Sequence, residues 1–314
     1  MWNLSRTLLE NVIPRGLLPF GDTLWYLIFA MVAGIISFTF ASVFAGVCSF
    51  VERRIAARMM SRIGPNRVGP QGLLQFAMDG LKVLLKEDII PNGADPVLFR
   101  MAPYLVFAGM FGAFVALPFG AQLIASDLDV GNYYIISITA LVVVGIILGG
   151  WSSNSKWALF GGLRSAAQIV SYEIPVGLAI LTVVLLAGGM STQSIISAQG
   201  GLPWNWFICH SPFAFLAFFV YFIAALAEGN RTPFDLPEAE SELVSGYNTE
   251  YSGFRFLVFF FAEWANLWIM SAIGVLCFLG GWRIPGVSLA ETSSTWTWIL
   301  LSFGIFSAKT LTLV

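Results

Sequence analysis

The segment FRFLVFFFAEWANLWIMSAIGVLCFLG, residues 254–280, constrains the fold more than any other stretch of the chain. A helix rising 1.5 Å per residue needs about 20 apolar residues to cross a hydrocarbon core, and this segment is long enough. Comparable runs occupy roughly 25–50, 98–119, 132–150, 163–188, 211–228 and 296–314. Within lipid every backbone N–H and C=O must be satisfied by the protein itself, which leaves helices or closed barrels. These runs are far too long for barrel strands. The expected fold is an all-α, polytopic bundle of about seven spans forming one membrane domain, residues 1–314. Composition agrees, with 57% hydrophobic and 11% charged residues and a mean hydropathy of +0.80. A soluble domain is about half apolar and about a quarter charged. The first residues show no short, cleavable apolar region of a secretory signal.

The charges that remain are unevenly placed. Residues 51–97 carry Arg53, Arg54, Arg58, Arg62, Arg67, Lys82 and Lys86, whereas the connections near 120–131 and 189–210 contain no Lys or Arg. The positive-inside rule puts the basic segment on the cytoplasmic or matrix side. Counting spans then puts the acidic segment 229–253 on that same inner side. Within the basic segment, Gln75, Asp79, Lys82 and Lys86 recur at helical spacing opposite Leu73, Leu74, Ala77, Leu81, Leu84 and Leu85. Residues 72–87 are therefore expected to form an amphipathic helix along the membrane surface or against a soluble partner.

Cys48, Cys209 and Cys277 lie far apart, which argues against an iron–sulfur or zinc cluster held by this chain alone. His210 is the sole histidine and sits in an expected loop; the reading gives it no role.

Acids inside apolar runs point to function. Glu173 lies about ten residues into the fourth run and Glu263 about one-third through the sixth. A carboxylate at such depth costs several kcal/mol unless it is neutralised or hydrated internally, and such groups usually mark ion or proton routes. Pro175 removes a backbone donor beside Glu173 and invites a kink. Glu228 ends the fifth run, where a solvated helix terminus would also explain it.

The stretch AEGNRTPFDLPEAESELVSGYNTEY, residues 227–251, holds Glu228, Asp235, Glu238, Glu240, Glu242 and Glu250. Thr232-Pro233-Phe234-Asp235 has the form of a helix cap, and Asp235-Leu236-Pro237-Glu238 offers a competing one. Capping does not account for Glu240, Glu242 and Glu250. Either the segment is water-exposed, or its interleaved Phe234, Leu236, Leu243, Val244, Tyr247 and Tyr251 pack it into a coupled set of acids. Pattern alone leaves both readings open.

Three stretches carry a resemblance: ERRIAARMMSRIGPNRVGPQGLLQFAMDGLKVLLKE, GWSSNSKWALFGGLRSAAQIVSYEIP and AEGNRTPFDLPEAESELVSGYNTEYSG. From about residue 25 onward the chain resembles the family of the H membrane subunit (mitochondrial subunit 1) of NADH:quinone oxidoreductase, respiratory complex I. The resemblance implies a subunit that joins the hydrophilic arm to the proton-pumping membrane arm and catalyses nothing by itself. Quinone is the implied substrate, with FMN and iron–sulfur clusters in partner subunits and no cofactor bound by this chain alone. Matched by motif, Arg53, Arg62, Asp79, Lys82, Arg231, Phe234, Asp235, Glu238, Glu240 and Glu242 belong to the quinone tunnel. Glu173, Glu228, Glu250, Tyr251 and Glu263 belong to a proton route. Implied partners are iron–sulfur and quinone-site subunits, small and antiporter-like membrane subunits, and lipid, with no nucleic acid. The implied location is a bacterial plasma membrane, or alternatively a mitochondrial inner membrane.

The family has an eighth span after a basic loop, whereas this sequence stops at SFGIFSAKTLTLV, so truncation is expected. Two other functions stay in view. One is the anchoring subunit of a related membrane-bound hydrogenase, which neighbouring genes would distinguish. The other is a stand-alone ion transporter, although no second copy of the Glu173 segment exists to form the repeat common in such proteins.

Overall fold

Asp95 and Ser211 show how the chain starts its helices. Each precedes a proline, which tolerates the first helical turn because its missing N–H would have no intrahelical partner there. The Asp95 carboxylate accepts from the amides of Val97 (3.0 Å) and Leu98 (3.3 Å), and Ser211 Oγ accepts from Ala214 N at 3.1 Å. A computed structural model describes residues 21–120, 122–236, 240–284, 286–287 and 296–314. Its helices are α1 (Gly21–Met59), α2 (Gln75–Leu85), α3 (Pro96–Ala113), α4 (Gly131–Thr139), α5 (Leu141–Ser152) and α6 (Lys156–Ala187). They continue with α7 (Thr192–Ala198), α8 (Phe207–His210), α9 (Pro212–Glu228), α10 (Glu240–Leu243), α11 (Gly253–Phe278) and α12 (Trp296–Leu313). No strand occurs among the described residues.

Six segments are long and apolar enough to span: Ala30–Met59, Pro96–Ala113, Gly131–Ser152, Lys156–Ala187, Gly253–Phe278 and Trp296–Leu313. The seventh expected span is α9, also apolar but only 17 residues, or roughly 25 Å by helical rise. The protein is a multi-pass helical membrane protein. Helix α11 forms its centre and packs against α1, α2, α3, α9 and α12. Trp268, Ile269, Ile273, Leu276 and Phe278 on α11 are buried almost completely. Phe40 and Phe44 of α1 meet the Trp268 ring at centroid distances of 4.8 and 4.4 Å. Helices α3 and α5 approach closely at Gly145, where a Cβ would lie 2.4 Å from Val106 Cγ2.

Several boundaries differ from those the apolar runs suggest. Helix α1 continues through Arg53, Arg54 and Arg58, because backbone hydrogen bonding does not stop where apolarity does. The second run yields a helix ending at Ala113, not 119, and the third is interrupted at Ala140. The fourth helix begins at Lys156, seven residues earlier than expected, and continues through Pro175 to Ala187. The amphipathic helix is shorter, Gln75–Leu85, and follows a 3₁₀ turn at Pro70–Gly72. No helix begins at Thr232: residues 231–235 are turn and coil, held by Phe234 N donating to Arg231 O at 2.7 Å. The competing cap falls partly on Pro237 and Glu238, outside the described residues.

The basic and acidic segments meet at one end of the bundle. Ser252 Oγ accepts from Ile89 N and donates to the Glu87 carbonyl, both at 3.1 Å. Arg255 pairs with Asp88 at 2.8 Å.

Candidate functional site

At this charged end, Ser49, Glu52, Arg53, Ala56 and Ala57 recur at intervals of three and four along α1 and share a face. Across from them, Phe256, Phe260, Glu263 and Trp264 form the equivalent stripe on α11. Between the stripes is a polar cavity of about 770 Å³, also bordered by Arg62, Arg231, Ser245 and Asn248. A larger, mainly apolar cavity of about 1230 Å³ adjoins it, lined by α1, α2 and the start of α11. The two have Arg53, Ser245, Asn248, Phe256 and Phe260 in common.

Helix α2 turns Asp79 toward α1 with Gln75 beside it, while Lys82 and Lys86 stay exposed. The Arg53 guanidinium sits 2.5 Å from Asp79, and Gln75 donates to the same carboxylate at 2.8 Å. Burial alone would raise the Asp79 pKa, but the Arg53 and Gln75 hydrogen bonds and the charges of Arg53 and Lys82 bring it below 3.8. Leu73, Leu74, Met78, Leu81, Leu84 and Leu85 are exposed, an apolar face suited to lipid or a partner.

Arg231 reaches the polar cavity together with Glu52, Arg53, Arg62 and Glu263. Its guanidinium lies 3.5 Å from Glu52, 3.3 Å from Glu263 and 4.5 Å from the centre of the Trp264 ring. Its Nε and the Asn248 Oδ1 are buried with no hydrogen-bond partner among the described residues. Buried polar atoms in that condition are normally met by water or a ligand. Glu228 is 5% exposed at the end of α9, its carbonyl accepting from Asn266 Nδ2 at 3.2 Å. Glu228 Oε2, Asn266 Oδ1 and Gln168 Oε1 are likewise unpartnered among the described residues.

Tyr251 lies in the wall of the apolar cavity, stacked on Phe99 at 4.0 Å. Pro103 cannot donate to the Phe99 carbonyl four residues earlier, and Tyr251 Oη supplies the hydrogen bond at 3.2 Å. Burial, against smaller effects of Ser152 and Arg255, pushes the phenol up to about 12.

Of the residues singled out from sequence, Arg53, Arg62, Asp79, Lys82, Arg231, Tyr251 and Glu263 border these cavities. Phe234 instead packs against Tyr172 at 5.4 Å, and Glu242 is exposed and pairs with Arg164 at 2.6 Å. Asp235 is exposed, Glu250 and Glu173 are half-buried, and none of the three borders either cavity. Glu238 and the Glu240 side chain lie outside the described residues. Glu52, Ser245, Asn248, Trp264, Gln168 and Asn266 were missed. Of these, Glu52 left a signal in its helical spacing with Ser49 and Ala56 on α1. No group of three or more His, Cys, Asp or Glu is placed to hold a metal among the described residues.

Fold and site together define a polytopic membrane protein in which an apolar cavity adjoins a charged one. The family model described as NADH dehydrogenase matches residues 31–314. The NADH-quinone oxidoreductase H subunit of Anaeromyxobacter dehalogenans is 54% identical over 302 residues, 93% of this chain and 73% of the relative. Its namesake in Chlorobaculum tepidum is 50% identical over 266 residues, 83% and 74% respectively. That of Brevibacillus brevis is 44% identical over 294 residues, 91% and 82% respectively. The chain belongs to this family, that of the NADH-quinone oxidoreductase H subunit.

Proposed function

We propose that the chain is the quinone-guiding membrane subunit of a proton-pumping NADH:quinone oxidoreductase in a bacterial plasma membrane. The observation that carries this reading is the joined pair of cavities, one apolar and one charged, sharing Arg53, Ser245, Asn248, Phe256 and Phe260. A quinone has an apolar tail and a polar head, and the pair offers both environments in sequence. Leucines on α2 and phenylalanines on α1 and α11 suit the tail. Arg231, Asn248 and Arg53 supply donors and acceptors for the head.

Reduction of quinone to quinol takes up two electrons and two protons. The electrons come from partner subunits, which hold the FMN and iron–sulfur clusters. This chain supplies position and charge. A unit charge 4 Å from a carboxylate is worth about 4 kcal/mol at an effective dielectric of about 20, enough to reset its proton occupancy. Glu263 and Glu52 share Arg231 and feel any charge change in the polar cavity first. Glu228, joined to α11 through Asn266, and then Glu173 on α6 continue the acidic series. Glu250 and Tyr251 flank its start, with Tyr251 as a neutral phenol.

The test places a bulky side chain at the shared wall. In the assembled complex, Ser245→Trp is expected to abolish reduction of a long-tailed quinone, while NADH oxidation by a water-soluble acceptor reports assembly. Normal turnover of the long-tailed quinone by that variant would refute the reading.

A further inference from the structure

One face of α6 is shaped to hold the turn that carries Arg231. Gly161, Ser165, Gln168 and Tyr172 follow at spacings of four, three and four, so they form one stripe. Ser165 Oγ lies 3.4 Å from Asn230 Nδ2, and Tyr172 sets its ring edge against Phe234 at 5.4 Å. Between them Gln168, only 7% exposed, directs its amide nitrogen at three acceptors. These are the carbonyls of Ala227 and Phe234, both at 2.7 Å, and Asn230 Oδ1 at 3.2 Å. Rotating the amide by half a turn would set oxygen against oxygen three times over, so the network itself fixes its orientation.

The two short bonds close a loop of chain. Ala227 is in the last turn of α9, where its carbonyl also accepts from Asn230 N at 3.3 Å, and Phe234 lies beyond Arg231. Arg231 lies between them, after Asn230 in the left-handed conformation (φ 49°). Two amide hydrogens of one buried side chain thus tie both ends of the Arg231 turn to α6.

We propose that Gln168 is a positioning residue for Arg231: by holding the Ala227 and Phe234 carbonyls it keeps the guanidinium over Trp264 and between Glu52 and Glu263. This rests on the assignment of the polar cavity to the quinone head. Gln168 touches no quinone; its effect passes through the turn.

The experiment is a double-mutant cycle in the assembled complex, reading KM and kcat for a short-chain quinone. Gln168→Leu and Arg231→Gln are each expected to raise KM about tenfold with little change in kcat, the pattern of lost uniform binding. Combined, they should exceed Arg231→Gln alone by no more than roughly twofold. Multiplicative effects near a hundredfold, or a wild-type KM for Gln168→Leu beside a raised one for Arg231→Gln, would overturn the proposal alone. An unchanged KM for Arg231→Gln would overturn the quinone reading of the cavity and the proposal with it. Should Gln168→Leu fail to assemble, Gln168→Glu, which keeps the volume but loses the paired donors, carries the same comparison.

Discussion

Among the described residues two cations sit over indole rings, and their surroundings differ. Arg231 lies 4.5 Å from the Trp264 ring and Lys309 lies 4.3 Å from Trp206. The Lys309 ammonium donates to the carbonyls of Leu279 (2.8 Å) and Gly281 (3.0 Å) just past the end of α11. Those carbonyls extend the negative end of the helix dipole, so the charge is compensated by backbone alone. Nearby, Gln199 donates to the Leu276 carbonyl at 2.8 Å and accepts from Gly280 N at 2.9 Å. Arg283 adds hydrogen bonds to the carbonyls of Ser197 and Gln199. Arg231 instead faces two carboxylates at 3.3 and 3.5 Å and an open cavity, with its Nε unpartnered among the described residues. The same cation–aromatic contact serves closure where carbonyls complete it and reception where a cavity is left beside it.

The largest effect expected is that of Lys309→Met, which leaves two carbonyls without their donor. It should cost about 3 kcal/mol of stability, seen as earlier thermal unfolding in detergent, with quinone KM unchanged. A raised KM with normal unfolding would erase the contrast between the two cations.

Gly161→Ala should come next. The added Cβ would lie 2.6 Å from Gly246 Cα, forcing α6 and the 246–248 turn apart at a cost of about 2 kcal/mol. Because that turn leads into the cavity wall, both unfolding and quinone KM should change. A shift in unfolding alone would show the wall to be independent of α6.

Tyr251→Phe is expected to cost about 1 kcal/mol, since it strands a Phe99 carbonyl already deprived by Pro103. Burial pushes the folded phenol up to about 12 from its ordinary 10, so its contribution is complete below pH 10 and is lost between 10 and 12. Alkaline unfolding of the wild type should show that limb, and the variant should lack it.

The smallest effect belongs to Asp79. Its pKa is held below 3.8, so the tie from α2 to Arg53 is intact above that value and weakens as pH falls through the folded one. Hydrogen-exchange protection in α2, corrected for the intrinsic pH dependence of exchange, should fall severalfold on acidification in the wild type and stay nearly flat in Asp79→Asn, the modest scale of a partly exposed pair.

Much of this was legible beforehand. Apolar length marked every long helix, since lipid offers no other solution for the backbone. The spacing of Gln75, Asp79 and Lys82 marked the polar stripe of α2. The pairing of Asp79 was not legible, because it depends on Arg53 arriving from α1. The acidic segment shows the same limit. Its carboxylates caught attention, yet Glu242 is spent on Arg164 at the surface, while the cavity takes Glu52 and Glu263 from helices far away in sequence. Gln168 went unnoticed, since its helical spacing from Gly161, Ser165 and Tyr172 marks a face of α6 without saying which segment packs on it.

The sequence by itself determined that this chain crosses a membrane as helices and that its charge gathers into two segments, because length, hydropathy and Arg placement are local properties read against lipid. Tertiary structure decided which charges meet. Arg231 acquires Glu52, Glu263 and Trp264, and Lys309 acquires the end of α11, only when helices remote in sequence are packed side by side. Hydrogen bonds and ion pairs act over a few ångströms, and no spacing along a chain records that distance.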